Sequence, residues 1–224
     1  MPSVQVWRVD LDQPPPAVTA LATVLDEDER AAAAKRVGSV RDRYVVAHGA
    51  LRTVLAHVAG GAAGALVLDR TCGHCGDPRH GRPTLAGSDV EFNLSHSDGI
   101  ALIACTHAVR VGVDVEVVRP RSLLPKLARR VLDEESYEAW LARPEAEQLG
   151  VFIQEWTARE AYLKGVGLGI VRRLRDVPAS PPGWTITALP VGELARASLA
   201  VEHPDPPGVR LATWSLAGTG TLER

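Results

Sequence analysis

Several features are missing from this 224-residue chain. It has no run of about 18 apolar residues, so no membrane-spanning helix is expected. It has no excess of positive charge. The formal net charge is −2 and the sequence pI about 6.4, which argues against a general nucleic-acid binder. Only three cysteines occur, two of them close together at Cys72 and Cys75, and this argues against a disulfide framework. The opening stretch, MPSVQVWRVDLDQPPP, has no basic segment leading into an apolar core. No signal peptide is therefore expected, and a cytoplasmic enzyme is the default. What is present is 46% hydrophobic residues, enough for a sizeable core in one large domain or two small ones.

In chain order, Val4 to Leu11 alternates as a strand until Pro14, Pro15 and Pro16 break it. Ala17 to Leu25 predicts a short helix. Asp26 with Glu29 three residues on forms a weak capping-box pattern for a second. Val40 to Ala59 predicts a longer helix with Tyr44, Ala47, Leu51, Val54, Leu55 and Val58 on its apolar face. Its Arg41, Arg43, His48, Arg52 and Thr53 read as a solvated face. A short strand is expected at Leu66 to Asp69. The turn-rich Thr71 to Pro83 carries Cys72, His74, Cys75 and His80, but the spacing does not match a zinc finger. Strands are expected at Val90 to Leu94, Ile100 to Cys105 and Val111 to Val117. Between the first two, Ser95-His96-Ser97 reads as a turn. Its histidine has a structural reading, or it offers an imidazole to an anion. Helices are expected from Leu127 to Leu132, from Asp133 to about Leu141, and from Phe152 to a glycine-rich stop at Gly169. Trp184 to Leu189, Ala197 to Val201 and Val209 to Ser215 predict a closing antiparallel sheet. Arg43 to Leu55 and Gln154 to Val166 echo one another, which points to two similar α+β halves, 1–108 and 109–224.

Two stretches carry chemistry. In VGVDVE, Asp114 and Glu116 are two apart on a strand and share a face. On the late helix Trp156, Glu160 and Lys164 are four apart and lie along one face. Glu160 and Lys164 alone would be an ordinary helical ion pair. Added to the two strand carboxylates, they make an oxygen-rich site suited to a hard cation such as Mg²⁺ and a phosphate-bearing substrate.

HGRP (His80 to Pro83), FNLSHS (Phe92 to Ser97), VGVDVE (Val111 to Glu116) and WTAREAYLK (Trp156 to Lys164) occur here in one order. In these motifs the chain resembles the 4′-phosphopantetheinyl transferases, specifically the Sfp type. The matches run from about residue 36 to residue 169. The resemblance implies an α+β fold of two halves related by pseudo-twofold symmetry, the first meeting coenzyme A and the second carrying the metal, the catalytic helix and carrier docking. It implies transfer of the 4′-phosphopantetheine arm of coenzyme A to a serine of apo acyl or peptidyl carrier proteins. The other product is adenosine 3′,5′-bisphosphate. By the same resemblance Asp114, Glu116 and Glu160 hold Mg²⁺, Glu160 is the base, and Lys164 stabilises the departing phosphate. Ser95, His96 and Arg82 meet the nucleotide end, and Arg36, Arg41 and Thr53 are further phosphate contacts. LARRVL, Leu127 to Leu132, would meet the carrier, though it also reads as an ordinary amphipathic helix. No nucleic-acid or membrane partner is implied, and a monomer is expected. The family usually has lysine where this chain has Arg159, whose planar fork differs from a point charge. Two rival classes are a Mg²⁺-dependent phosphohydrolase using the same carboxylates, and a coenzyme A- or zinc-binding module built on Cys72 and Cys75.

Overall fold

A computed structural model describes residues 1–72, 75–77, 81–167, 173–216 and 218–223. His74, His80 and the Leu168–Gly169 end of the late helical stretch therefore lie outside the described residues. The order is β1 (Ser3–Asp10), α1 (Pro15–Ala22), α2 (Glu27–Ala34), α3 (Gly38–Ala59), β2 (Leu68–Asp69), β3 (Thr84–Leu85), β4 (Val90–Ser97), β5 (Ile100–His107) and β6 (Val111–Val117). Then come α4 (Leu124–Val131), α5 (Glu134–Leu141), α6 (Glu145–Val166), β7 (Thr185–Leu189), β8 (Ala195–Val201), β9 (Gly208–Ser215) and β10 (Gly218–Glu223). No helix among the described residues is long and apolar enough to cross a membrane.

Alternation along the strands sorts the chain into four layers. A five-stranded sheet runs β10-β9-β1-β5-β4 and a three-stranded sheet runs β6-β8-β7. On the larger sheet Trp7, Val9, Ala101, Ile103, Cys105 and Phe92 face α3, packing with its Val46, Ala50 and Val54. The neighbours in sequence, Val4, Val6, Ile100, Leu102 and Ala104, turn the other way. They meet Val111, Val113, Val115, Ala197 and Leu199 of the smaller sheet. The remaining face of β6 lies under α6. A Cβ on Gly112 would come within 2.0 Å of the Ala161 carbonyl oxygen, and one on Gly165 within 2.7 Å of the Trp184 ring. Two glycines thus allow helix and strand backbones to touch. This is the mixed α+β fold expected, with 22-residue helices α3 and α6 on opposite outer faces.

Three expectations are corrected. Ser95-His96-Ser97 is not a turn but the end of β4, and Ser97 pairs with Ile100. Asp98 accepts the left-handed backbone (φ 48°) and makes the turn with Gly99, which frees the serines to remain in the strand. The last strands do not close one sheet. β9 leaves β7 and β8, running parallel to β1 with Ser3 opposite Gly208, because Ala212 and Trp214 have their apolar partners in the α3 core. Arg52 is not solvated. It is fully buried, and its guanidinium meets Glu29, Asp26 and the carbonyls of Ala63 and Leu66. The Asp26–Glu29 capping box of α2 is present, so one acidic turn both caps a helix and neutralises a buried arginine.

Burial opposes the charge on Glu29, but hydrogen bonds with His48 and Arg52 outweigh it and lower its pKa from 4.5 to about 2. A depressed folded pKa gives stability above the unfolded value that is lost as pH falls through the folded one. The difference corresponds to about 3 kcal/mol, withdrawn between about pH 4.5 and 2. Glu29→Gln should lose about 3 kcal/mol at pH 7 and flatten the acid limb of stability against pH. Denaturant midpoints at a series of pH values check this. An unchanged acid limb would refute it.

Candidate active site

The site forms where the free edge of β6 meets the free edge of β4. β6 pairs with β8 on one side only, so its other N–H groups need acceptors. β4 supplies them from side chains. Asn93 Oδ1 accepts from Val113 N–H at 3.0 Å, Ser95 Oγ from Val115 at 3.3 Å, and Ser97 Oγ from Val117 at 3.2 Å. Period-2 spacing puts all three on one face of β4, and all three are buried.

Asp114 and Glu116 project from the same stretch of β6. Ser95 donates to Asp114 Oδ1 at 2.8 Å, and Ser97 donates to Glu116 Oε2 at 3.0 Å. From α6, Lys164 Nζ donates to Asp114 Oδ1 at 2.6 Å and to Ser95 Oγ at 2.8 Å. Arg121 reaches Glu116 Oε2 at 3.3 Å. Asp114 Oδ2 is buried and accepts no hydrogen bond among the described residues. Glu160 stands half-buried one turn before Lys164. Burial raises its pKa, the charges of Asp114 and Glu116 add to this, and Lys164 opposes it. Among the described residues no three His, Cys, Asp or Glu side chains already form a closed metal cluster. The donor chemistry nonetheless fits a hard cation: carboxylate oxygens from two elements, one of them buried without a partner.

His96 alternates to the opposite face of β4, toward α3. Its pKa is lowered, first by burial and then by the positive charges of His48, Lys164 and Arg36. The residue is nonetheless exposed to solvent. Basic residues from the α2–α3 connection, α3 and α6 therefore gather around an accessible imidazole, an arrangement suited to an anion. Arg36 lies over Tyr44 at 4.2 Å, and Tyr44 stacks on His48 at 4.1 Å.

The other expected residues divide. Arg82 is paired with Glu91 and lies against Gly167, its Cβ 3.4 Å from where a Cβ there would stand, just past the turn that carries Lys164. Arg41 is exposed at the start of α3, beside Asp42. Thr53 is not brought to the group. Its hydroxyl donates to the Ala50 carbonyl and accepts from Trp214 on β9, three strands away from β4 in the sheet. Ser95 does join the group, through Asp114 and Lys164. Ser97 and Arg121 were not singled out by sequence reasoning. The signal for Ser97 was its place two beyond Ser95 and four beyond Asn93; Arg121 left none, since it arrives from a linker.

Arg159 turns away from the carboxylates. Only 2% exposed, it donates to Asp133 Oδ2 at 3.1 Å, to Ser136 Oγ at 3.3 Å and to Glu155 at 2.5 Å. It locks α6 onto the capped start of α5, a planar task that a lysine performs less well. Arg159→Ala should cost about 2 kcal/mol of stability with turnover near normal well below the melting transition. Thermal melts paired with rate measurements decide it; lost turnover at unchanged stability is the outcome that refutes it.

A family model, the 4′-phosphopantetheinyl transferase superfamily, matches residues 110–203, the segment from β6 to β8. The chain is 32% identical over 213 residues to the 4′-phosphopantetheinyl transferase HetI of Nostoc sp., covering 88% of this chain and 87% of that protein. It is 40% identical over 131 residues to AcpT of Salmonella typhimurium, 56% of this chain and 65% of that one. It is also 30% identical over 104 residues to Sfp of Bacillus subtilis, 46% and 45% of the two chains. With a relative this similar along most of both lengths, the chain belongs to the 4′-phosphopantetheinyl transferase family.

Proposed function

We propose that this transferase acts as an Sfp-type enzyme, moving the 4′-phosphopantetheine arm of coenzyme A to a serine hydroxyl of apo acyl and peptidyl carrier proteins. The observation that carries this reading is the junction of β4, β6 and α6. There Lys164 bonds Asp114, Glu116 follows two residues on along β6, and Glu160 stands where the charges of both strand carboxylates and of Lys164 reach it. In the reaction the serine oxygen bonds to the phosphorus that bears the arm. The bond from that phosphorus to the bridging oxygen breaks, and adenosine 3′,5′-bisphosphate departs. Asp114, Glu116 and Glu160 are the residues that would hold Mg²⁺, which supplies positive charge to the pyrophosphate when bound.

Glu160 takes the serine proton. Burial and its acidic neighbours make it a stronger base than an exposed glutamate. Lys164, held in place by its contacts with Asp114 and Ser95, contributes a point charge toward the leaving phosphate. His96, with Arg36 and His48 near it, accounts for the nucleotide end; Arg82 flanks the same helix terminus. The carrier has a docking place outside this cleft. A cavity of about 510 Å³ is lined by Leu127, Val131, Trp156 and Leu174 with Arg129, Arg130, Arg173 and Arg175 around them. An apolar floor with a basic margin suits the acidic recognition surface of a carrier helix. The 1–108 segment is assigned to the nucleotide and 109–224 to metal, chemistry and docking, with the cytoplasm as the site of action.

Incubation with coenzyme A, Mg²⁺ and a panel of apo acyl and peptidyl carriers should add one phosphopantetheine arm by intact mass. Free phosphopantetheine released without a carrier would instead favour the phosphohydrolase. Glu160→Gln should lower turnover roughly 10²-fold or more, and Lys164→Ala should do likewise. Under the ion-pair reading each would lose only about 0.2–0.5 kcal/mol of stability and remain active. Turnover and thermal midpoint, measured together, separate the two readings.

A further inference from the structure

The seam between β4 and β6 has three rungs, and they are not equivalent. Each of Asn93, Ser95 and Ser97 accepts an N–H from β6. A serine hydroxyl has one proton and two lone pairs. Once Ser97 Oγ accepts from Val117 N–H at 3.2 Å, its proton is left to point forward, and it meets Glu116 Oε2 at 3.0 Å. Arg121 approaches the same oxygen at 3.3 Å. The Glu116 carboxylate is thus gripped through one oxygen from two directions, and its other oxygen takes part in neither of these bonds. Ser95 treats Asp114 in the same manner: it accepts from Val115 N–H and donates to Oδ1. The oxygen left over, Oδ2, is buried and has no hydrogen-bond partner among the described residues. Asn93 performs the seam duty alone, as its acceptor oxygen meets Val113 N–H and no carboxylate.

We propose that Ser97 is a positioning residue: with the Val117 N–H behind it, it fixes the rotation of the Glu116 carboxylate so that one oxygen is presented to a hard divalent cation. The inference rests on the cation reading above. Outer hydrogen bonds of this kind orient carboxylate ligands, and losing one typically costs 10–100-fold in metal affinity. The pattern also predicts that the seam divides its labour. Rungs two and three aim ligands, and rung one only joins the sheets.

The test is Mn²⁺ titration in the presence of coenzyme A, followed by loss of the free-ion EPR signal, with coenzyme A alone as the blank. Thermal midpoints are recorded alongside. Ser97→Ala should weaken Mn²⁺ binding about tenfold or more, whereas Ser97→Thr, which keeps the hydroxyl, should stay near wild type. Asn93→Ala should lower the thermal midpoint while holding Mn²⁺ affinity within about twofold, because it breaks a seam bond that touches no ligand. Ser97→Cys, similar in size and a weak donor, gives the same readout if the alanine variant does not fold. Equal affinity in Ser97→Ala or Ser97→Cys and wild type overturns the proposal. So does an equal loss in Ser97→Ala and Asn93→Ala, which would mark the seam as structural only. If wild type draws no more Mn²⁺ than the blank, or Asp114→Ala binds like wild type, the cation reading itself fails and takes the proposal with it.

Discussion

The constraint on which the candidate active site depends is an unpaired strand edge. β6 has one hydrogen-bonded neighbour, so its other N–H groups would be buried without acceptors if nothing met them. Side chains from β4 meet them. This joins two sheets without continuing either as a ladder. It also determines which residues can occupy the junction. Acceptors must recur every second residue on β4, and they must be short. Asn93, Ser95 and Ser97 satisfy both conditions, and the carboxylates of β6 then fall directly opposite hydroxyl donors.

Helix α6 completes the site because the backbones of Gly112 and Gly165 can touch. At that separation Lys164 reaches Asp114 with a direct bond, and Glu160 comes close enough for the strand carboxylates to raise its proton affinity. A larger side chain at either glycine would push the helix outward and separate Glu160 from Asp114 and Glu116. Behind it, Thr157 and Gln154 bond Ser198 on β8, and Arg159 fastens the opposite side to α5. The helix is therefore held in register on three sides while its polar face remains turned to the cleft.

Much of this was legible from period alone. The strand carriage of Asp114 and Glu116 and the four-residue spacing of Trp156, Glu160 and Lys164 follow from local geometry, as do the capping of α2 and the boundaries of β6. Other parts were not, because they depend on partners distant in sequence. Arg52 has the pattern of a solvated helix face, and only the fold brings Glu29 and Asp26 to it. Ser95 to Ser97 looked like a turn because small polar residues precede a glycine; the deciding residue was Asp98, which tolerates the left-handed backbone. Thr53 is a phosphate contact only by resemblance, and in the fold its hydroxyl bonds the Ala50 carbonyl and Trp214. Arg159 stands next to Glu160 in sequence and points elsewhere, since neighbours on a helix are about 100° apart.

The parallel pairing of β1 with β9 has a consequence for how the chain comes into being. Ser3 leaves the ribosome well before Gly208, the residue it pairs with. Until β9 arrives, β1 has β5 on one flank and an open edge on the other, apolar on both faces through Val4, Val6, Trp7 and Val9. Open apolar edges invite pairing with other chains, and contacts this far apart form late. The stretch made before β9 is thus a nascent intermediate in need of cover, and β9 serves as the clasp that ends its exposure.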